Sequence, residues 1–299
     1  MHTEVTPLQL LSDPLLKEKG VELWLKREDL NDPAIQGNKW RKLKYNLINA
    51  KHEGHDTILT FGGIYSNHIY AVAAAGKRFG FKTIGIIRGE PADEPTHTLR
   101  YAEQQGMKLL YTDRTQYQLK DEPTSIENLH VELGNFYLLP EGGTNLLAMQ
   151  GCAEIVHEIG IDYDYICLPA GTGGTMAGIV VGMNGKNQAI GYSVLKGADT
   201  LTATVAALVN EFSERSYPNW HICSEYHCGG YAKVNEALIQ FIKDFQMRHL
   251  VQLEPVYTGK MLYGLYNMIK SGYFPSGSRI IAIHTGGLQG LCGYKKYFE

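Results

Sequence analysis

The sequence has few cysteines, and their arrangement does not indicate a disulfide framework. Its 299 residues include five cysteines, an odd number scattered over a long chain. A chain of this length can bury a sizeable core without disulfides or a structural metal. Scattered free thiols are typical of a reducing compartment. We therefore expect a cytoplasmic protein.

Excess charge of one sign and long hydrophobic runs are also missing. Lys and Arg total 28 against 31 acidic residues, a formal net charge of −3. No basic run is long enough to follow a phosphate backbone, so nucleic acid is not an expected partner. No apolar run reaches the roughly 20 residues of a membrane-spanning helix, and the first 20 residues lack the pattern of a signal peptide. A membrane is not an expected partner either.

The residues that are present indicate an α/β fold. Hydrophobic residues make up 44% of the chain, charged residues 20%, and the 33 glycines outnumber the 11 prolines threefold. Short β-branched runs alternate with helical patterns, which is typical of parallel strands covered by helices. The pattern predicts strands near residues 57–61, 82–87, 108–111, 165–168, 189–193 and 279–284. It predicts helices near residues 39–52, 67–79, 96–105, 146–159, 175–182, 201–214, 233–245 and 259–271.

The expected architecture has two domains, each with an open, mostly parallel sheet flanked by helices. Continuous apolar runs such as TILTF and RIIAI indicate strands that are covered on both faces. Glycine-bearing junctions near residues 36–37 and 141–144 suggest the domain borders. We expect a larger domain of residues 1–41 and 148–299, with residues 42–147 as a smaller inserted α/β domain.

Three glycine-rich turns follow predicted strands. The turn Gly171-Thr172-Gly173-Gly174-Thr175 leads from a strand into a helix, and Gly62-Gly63 and Gly286-Gly287 follow two other strands. Glycines let backbone N–H groups crowd around an anion, and the positive end of the following helix adds to the attraction. The motif lacks the ending of a nucleotide-triphosphate loop and the dinucleotide pattern, so a monophosphate ester fits better. A tight strand-to-helix turn without a ligand is the plainer alternative.

Residues at two predicted helix starts invite a functional interpretation. Ser66 and Asn67 stand where a helix cap belongs, and either could instead face a ligand in the same crevice. Lys39 opens a helix, the end where a cation is disfavoured, and Arg41 and Lys42 lie close by. We expect the pKa of Lys39 to be lowered, which would provide the neutral amine that imine chemistry requires. Most lysines are solvated surface charges, so the residue alone is weak evidence.

The order of these motifs carries a family resemblance. The segments KRED, GNKWRKL, GGIYSNH, GTGGTMAG, EPVYTGK and IHTGG follow one another over about residues 20–290. This order resembles the pyridoxal-phosphate enzymes of the tryptophan synthase β-like fold, and within them the 1-aminocyclopropane-1-carboxylate deaminase/D-cysteine desulfhydrase family. The stretch from Arg88 to Leu139 lacks the resemblance and is shorter than its usual counterpart.

The resemblance implies a cofactor, pyridoxal 5′-phosphate, and roles for named residues. Lys39 would form the imine with the cofactor, Lys42 would lie near its phosphate, and Asn67 would bind its phenolic oxygen. The remaining cofactor-binding residues would be Gly171, Thr172, Gly173, Gly174, Thr175 and, beside the pyridine nitrogen, Thr258. Catalytic candidates are Lys39, Ser66 and Tyr257, and the substrate would contact Tyr65, Ser66, Asn67, His68, Tyr231, Tyr257, Thr285 and Gly286. A small amino-acid substrate and a homodimer are further implications.

Two threonines bear on the reaction. Where the resembled cyclopropane deaminases have a glutamate and a leucine, this sequence has Thr258 and Thr285, as in the D-cysteine desulfhydrase pattern. A neutral hydroxyl stabilises a protonated pyridine nitrogen less than a carboxylate does, which favours elimination of a good leaving group over ring opening. We expect a β-elimination that gives pyruvate, ammonia and sulfide. Cyclopropane deaminase or D-serine-type activity is the alternative, and Tyr65 replaces the glutamine usual in the family.

The sequence also raises two other hypotheses, a metal site and a non-catalytic phosphate-binding protein. The segment from His221 to Cys228 places four N and S ligands in eight residues, but structural zinc sites pair two separated knuckles and no second cluster follows. No metal is therefore expected. A non-catalytic protein that binds a phosphate ligand would not need the imine-forming amine of Lys39.

Overall fold

The structure is a computed structural model that describes residues 4–298. Within these residues the strands are Leu8–Leu11 (β1), Glu22–Lys26 (β2), Thr57–Gly63 (β3), Lys82–Arg88 (β4), Met107–Thr112 (β5), Tyr137–Leu139 (β6), Tyr165–Ala170 (β7), Gln188–Ser193 (β8), Trp220–Cys223 (β9) and Arg279–Ile283 (β10). The α-helices are Pro14–Lys19 (α1), Asn38–His52 (α2), Asn67–Phe79 (α3), His97–Gln104 (α4), Arg114–Gln118 (α5), Pro123–Leu133 (α6), Leu146–His157 (α7), Gly174–Met183 (α8), Ala198–Ser213 (α9), Glu236–His249 (α10) and Thr258–Lys270 (α11). A 3₁₀ segment, Leu288–Tyr297, follows β10.

The strands form two sheets. The six-stranded sheet has the order β1-β2-β10-β7-β8-β9, and all its neighbours are parallel except β1 and β2. The four-stranded sheet has the order β5-β4-β3-β6 and is parallel throughout. Its strands come from the middle of the chain, whereas both ends of the chain contribute to the larger sheet. The prediction of two open, mostly parallel sheets flanked by helices is confirmed.

Apolar strands explain why each sheet is covered on both faces. In β10 the run Ile280–Ile283 is fully buried, and in β3 residues Ile58 to Phe61 are buried as well. Side chains that alternate between the two faces of a strand can all be buried only if helices pack on both sides. The six predicted strands and eight predicted helices all occur, with ends shifted by a few residues.

Helices α2 and α7 join the two parts of the fold through a close crossing. Gly151 of α7 lies against the backbone of Arg41 in α2, where an added Cβ would be 2.0 Å from the Arg41 carbonyl oxygen. The predicted domain borders at 41/42 and 147/148 fall in the first turns of these two helices. The division into these two domains stays a prediction.

Candidate active site

A single cavity gathers the three glycine-rich turns. It has a volume of about 390 Å³ and lies where β3, β4, β7, β8 and β10 end. Its wall includes Gly63, Gly171, Gly173, Gly286 and Gly287. The carboxyl ends of parallel strands are where open α/β sheets bind ligands. The turns therefore converge on one site, as their positions after strands indicated.

Gly37 positions Lys39 in this cavity. Its backbone has φ 69° and ψ −139°, and an added Cβ would lie 1.8 Å from the carbonyl oxygen of Thr285. Only glycine permits both the conformation and the close approach. The N–H of Asn38 donates to the same carbonyl at 3.2 Å. The start of α2 is thereby held against the end of β10, and Lys39 lines the cavity opposite it.

Burial lowers the pKa of the Lys39 ammonium to about 7. Removal from water is the largest cause, and the positive charge of Lys42 adds to it, while Cys152 acts weakly in the opposite direction. The Lys39 Nζ lies 3.5 Å from the Asn38 Oδ1. Burial likewise lowers the pKa of Lys42 to about 8. A lowered pKa at Lys39 agrees with the sequence-based expectation, but its main cause is desolvation.

Arg41 does not contribute to this effect, contrary to the expectation from sequence. Its guanidinium is fully buried on the other side of α2, where it binds Glu28 at 2.8 Å and Glu158 at 2.6 Å. Lys26 also binds Glu158, at 3.0 Å. The KRED and GNKWRKL motifs thus share a buried ion network that fixes α2 against β2 and α7. This role could not be read from residue spacing, because it depends on which face of α2 is turned inward.

The turn 171–175 and Lys42 form an anion-binding corner. Gly173 has φ 86°, and Gly174 begins α8. The Lys42 Nζ donates to the Gly142 carbonyl at 2.9 Å and lies 3.4 Å from the Thr172 Oγ1. An added Cβ on Gly174 would lie 3.2 Å from the same Nζ, so the helix start and the amine are in direct proximity. Thr175 is tied to Asn38 by a 2.9 Å hydrogen bond.

Ser66 caps α3 and also lines the cavity. Its Oγ accepts the N–H groups of His68 and Ile69, each at 3.2 Å. Asn67, the next residue, accepts a hydrogen bond from the Gln289 Nε2 at 2.8 Å through its Oδ1. This leaves the amide N–H₂ of Asn67 as the donor on the cavity side. Ser66 therefore both caps a helix and lines the cavity.

His68, in the first turn of α3, is held in one orientation. Its Nε2 lies 2.9 Å from the Thr60 Oγ1, and that hydroxyl donates to the Leu139 carbonyl at 2.8 Å. The Thr60 hydroxyl has one proton, so Nε2 must be the donor and Nδ1 the free acceptor. Burial, with the charges of Lys39 and Lys42, holds the pKa of His68 well below its ordinary value. The imidazole is therefore neutral.

Two tyrosines in contact with each other form a further part of the cavity wall. The ring of Tyr257 lies against the turn of residues 171–175. A Cβ added to Gly171 would lie 3.1 Å from this ring. Tyr231 meets Tyr257 edge to face at 6.2 Å. Burial and the Tyr231 side chain raise the pKa of Tyr257 well above its usual range. Tyr65, Thr285 and Gly286 also line the cavity.

Two predicted cofactor-binding residues, Gly174 and Thr258, are not part of the cavity wall. Gly174 can act through its backbone N–H, since it begins α8. Thr258 is fully buried and exchanges hydrogen bonds with Glu254, whose Oε1 lies 3.2 Å from its Oγ1. Burial raises the pKa of Glu254, although the backbone N–H groups of residues 256–258 favour its charged form.

Sequence reasoning missed several wall residues: Gln36, Asn38, Arg88, Glu141 and Gly142. Asn38 stands beside Lys39 in the sequence and could have been included on that ground. Arg88 ends a strand, the same signal that identified the glycine turns. The positions of Glu141 and Gly142 depend on the tertiary fold and have no local signal.

The histidines and cysteines of residues 221–228 do not form a metal-binding cluster in the part of the chain that the structure describes. The His227 Nδ1 accepts the N–H of Gly229 at 3.0 Å, and the ring of His221 packs 6.5 Å from Tyr273. No group of three or more potential metal-ligating side chains occurs within residues 4–298. No helix among these residues is long and apolar enough to cross a bilayer.

The fold and the site together define a class: an α/β enzyme with a buried, easily deprotonated lysine facing an anion-binding turn. A family model described as pyridoxal-phosphate dependent enzyme matches residues 1–286. The chain belongs to this family, and it is a pyridoxal-phosphate-dependent lyase.

Relatives in sequence cover nearly the whole chain. One is the "Putative 1-aminocyclopropane-1-carboxylate deaminase" of Pyrococcus horikoshii, 32% identical over 301 residues, which are 97% of this chain and 91% of the relative. Another is the D-cysteine desulfhydrase of Salmonella newport, 29% identical over 311 residues, or 97% and 93% of the two chains. Both names belong to the family that the motifs resemble.

Solved structures agree in fold. An ACC deaminase homologue superposes with a TM-score of 0.86 and 30% identity, covering 99% of this chain and 93% of the other. A hydrogen sulfide-producing enzyme from Fusobacterium nucleatum gives a TM-score of 0.67 at 13% identity, with 95% and 96% covered. The second likeness shows the fold alone.

Proposed function

We propose that this lyase removes the β-substituent of D-cysteine and gives pyruvate, ammonia and sulfide. The observation that carries the chemistry is the Lys39 amine, whose pKa is lowered to about 7 in the cavity that the 171–175 turn also lines. An amine that is half neutral near pH 7 can form an imine and later accept a proton.

The residues present fit pyridoxal phosphate. Bound there, the cofactor supplies an aldehyde that forms imines with amines and a ring that withdraws electrons from the substrate α-carbon. The start of α8, Thr172 and the Lys42 ammonium would hold its phosphate, since all three lie within one corner of the cavity. The amide N–H₂ of Asn67 would donate to its phenolic oxygen.

Lys39 is the group we assign as the base that takes the α-proton. The Ser66 Oγ already accepts two backbone N–H groups, so it has little capacity left to accept a proton. Tyr257 has a raised pKa, so its hydroxyl stays protonated at neutral pH and serves as a donor. Lys39 alone of the three is deprotonated in the ordinary pH range.

The choice of D-cysteine as substrate depends on Thr258, the first residue of α11. Thr258 offers a neutral hydroxyl that is already engaged with Glu254. Such a group supports the loss of a good leaving group such as thiolate better than the opening of a cyclopropane ring. The relative named D-cysteine desulfhydrase supports the same choice. The Pyrococcus relatives favour cyclopropane deaminase as the second candidate.

A substrate panel tests the assignment. D-cysteine, L-cysteine, D-serine and 1-aminocyclopropane-1-carboxylate are each added to the holoenzyme, and sulfide, ammonia and keto acid are measured. Sulfide from the D isomer of cysteine supports the proposal. Keto acid from the cyclopropane substrate with no sulfide from D-cysteine would replace it with the second candidate.

The role of Lys39 has its own test. In K39A we expect turnover to fall by about 10²–10⁴-fold, the range for loss of a positioned acid–base group. Borohydride reduction followed by peptide mass spectrometry should find the cofactor attached to Lys39 in the unaltered protein. The matched control is K51A, an exposed lysine at the end of the same helix. Retained turnover and cofactor attachment in K39A would refute the assignment of Lys39. Absence of both turnover and a Lys39–cofactor adduct in the unaltered protein would instead favour a non-catalytic phosphate-binding protein.

We further propose a cytoplasmic homodimer. The five cysteines are free in the structure, which supports a reducing compartment. The dimer follows from the family resemblance. Light scattering on the purified holoenzyme would measure its mass, and a monomeric mass would exclude the dimer.

A further inference from the structure

Arg88 is a cation in the cavity wall that the proposed chemistry does not use. It ends β4, next to β3 in the smaller sheet, and the absence of a side chain at Gly63 leaves room beside its guanidinium. An added Cβ on Gly63 would lie 3.6 Å from the Arg88 Nη2. The residue also begins the stretch in which the family resemblance is missing.

A comparison with Lys120 shows that Arg88 lacks a partner of opposite charge. Both cations lie 5.5 Å from the centre of the Tyr117 ring. Lys120 is neutralised by Asp121 at 2.7 Å and Glu141 at 3.5 Å. Throughout residues 4–298, no carboxylate oxygen lies within 4.0 Å of the Arg88 guanidinium. Arginine stays protonated in proteins, so this charge is permanent.

The cofactor phosphate and the α-carboxylate of an ordinary amino-acid substrate already match the other positive groups of the cavity. The start of α8 with Lys42 matches the cofactor phosphate. The start of α3, at Ser66 and Asn67, is a second helix N-terminus in the wall, suited to the substrate α-carboxylate. Arg88 remains as a third positive group. Glu141 is the sole acidic residue in the described wall, and it is paired with Lys120.

We propose that Arg88 binds an oxyanion carried on the β-substituent of the substrate. The inference rests on the proposed function and names its substrate class: D-amino acids whose β-substituent bears a phosphate, sulfonate or carboxylate. A planar guanidinium binds such groups through two parallel hydrogen bonds. The side chain of Arg88 is exposed, and its guanidinium lies over the Tyr117 ring, a contact that leaves the charge unneutralised.

The reaction on such a substrate balances without a further reagent. With O-phospho-D-serine, the Cα–H bond breaks and its proton goes to the Lys39 amine. The Cβ–O bond breaks and its electron pair leaves with phosphate. The unsaturated amine then takes up one water, and the products are pyruvate, ammonium and inorganic phosphate.

Paired substrates and paired variants test the proposal. O-phospho-D-serine is compared with the neutral β-chloro-D-alanine in the unaltered holoenzyme, in R88Q and in the control R114Q. We expect R88Q to lower the ratio of kcat/KM for the anionic over the neutral substrate by roughly 10- to 100-fold, the effect of losing a hydrogen-bonded charge pair. Because R114Q removes an exposed arginine that lies outside the cavity wall and pairs with no carboxylate of residues 4–298, it should leave the ratio within about threefold.

A binding measurement separates this inference from the proposed function. D-2-amino-3-phosphonopropionate carries a phosphonate that cannot be eliminated, and its affinity for the holoenzyme can be measured by calorimetry. R88Q should bind it roughly 10- to 100-fold more weakly than the unaltered protein does. If the holoenzyme eliminates nothing yet shows this loss, the proposed function fails and the Arg88 site stands. If R88Q weakens anionic and neutral ligands equally, or leaves both unchanged, the proposal for Arg88 is wrong.

Discussion

At the scale of single residues, the site depends on two amines whose pKa values burial lowers well below that of a solvated lysine. Lys39 and Lys42 lie one helical turn apart on α2, and both turn toward the cavity. Burial opposes the charge on each, and the charge of Lys42 further disfavours that of Lys39. The reactivity of Lys39 is thus a property of the pair.

Cofactor capture should therefore depend on pH in a characteristic way. The neutral fraction of the Lys39 amine grows as the pH rises through its pKa of about 7. We expect the rate at which the apoprotein captures pyridoxal phosphate to rise through this range and level off above it. A solvated lysine, with a pKa of about 10.4, would still be gaining reactivity at pH 9. Stopped-flow absorbance measures the rate, and a midpoint near 10 would contradict the burial argument.

Replacing Lys42 separates the two causes of the shift. In K42M the cation that disfavours the charge on Lys39 is gone, so the midpoint of the capture rate should move to higher pH. The matched control is K51M, at the exposed end of the same helix, which should leave the midpoint in place. An unchanged midpoint in K42M would mean that desolvation alone sets the pKa of Lys39.

Arg41 permits a prediction about stability. R41M would leave Glu28, which is fully buried, without its guanidinium partner. Removing one member of a buried ion pair typically costs about 3–5 kcal/mol. We expect a loss of that order in the free energy of unfolding, measured with urea. K44M is the control, since Lys44 is partly exposed and pairs with Glu154, and it should cost at most about 1 kcal/mol.

At the scale of secondary structure, close helix crossings decide where the lysine-bearing helix lies. Gly151 lets α7 approach α2 so closely that a methyl group would overlap the Arg41 carbonyl. Gly178 of α8 makes a similar contact, since an added Cβ would lie 2.7 Å from the Met149 carbonyl oxygen. The stack α2-α7-α8 therefore holds Lys39 and the 171–175 turn in a fixed relation.

G151A should disturb that stack. Because the helices must separate to admit the methyl group, we expect a loss on the order of 2–4 kcal/mol in the free energy of unfolding and weaker cofactor binding. Thermal unfolding and a cofactor titration measure the two effects. G160A, where an added Cβ would meet nothing within 4 Å, should be close to neutral. Equal stability of the two variants would contradict the crossing argument.

Strands and helices could be predicted from the sequence where their hydrophobic pattern was strong. Strands with continuous apolar runs, such as β3 and β10, were predictable, as were most of the long helices, whereas the 11-residue helix α6, which has no buried residue, was missed. The strand β2 was missed because it contains Glu22 and Lys26, and the burial of Lys26 depends on Glu158, far away in the chain. The three-residue β6 and the short helices α1 and α5 have too little pattern of their own.

The site was predictable to a similar degree and for a similar reason. The glycine turns carry a local signal after each strand, so their convergence could be anticipated from the rule for parallel sheets. The direction of the Arg41 side chain, the pairing of Lys120 with Glu141 and the exposure of Arg88 to the cavity have no local signal. These features arise only when distant segments pack together.

At the scale of the whole molecule, the cavity lies between two sheets, so a bound ligand contacts both. A ligand that binds only the folded state stabilises it by about 2.7 kcal/mol at a hundredfold excess over its Kd. We expect pyridoxal phosphate to raise the Tm of the apoprotein and to give a single cooperative transition in calorimetry. Inorganic phosphate, which fits the 171–175 corner alone, should raise the Tm less. A Tm independent of pyridoxal phosphate would contradict a ligand site between the sheets.

We propose that the two sheets also mark two domains, residues 1–41 with 148–299 and residues 42–147. The larger sheet contains β1, β2 and the strands from β7 onward, and the smaller sheet contains β3 to β6. Hydrogen exchange resolved by peptide would test this division. Two groups of protection with borders near residues 41 and 147 would support it, and one uniform group would oppose it.

The contact between Gly37 and Thr285 also sets the order of events during synthesis. The segment bearing the reactive amine leaves the ribosome well before the strand end that holds it in position, because Lys39 precedes Thr285 by more than 240 residues. Until then the nascent chain has no enclosed pocket, and its amine has the reactivity of any solvated lysine. Loading with the aldehyde therefore has to wait for the segment around Thr285, and a ribosome stalled before residue 285 would carry a chain unable to accept it.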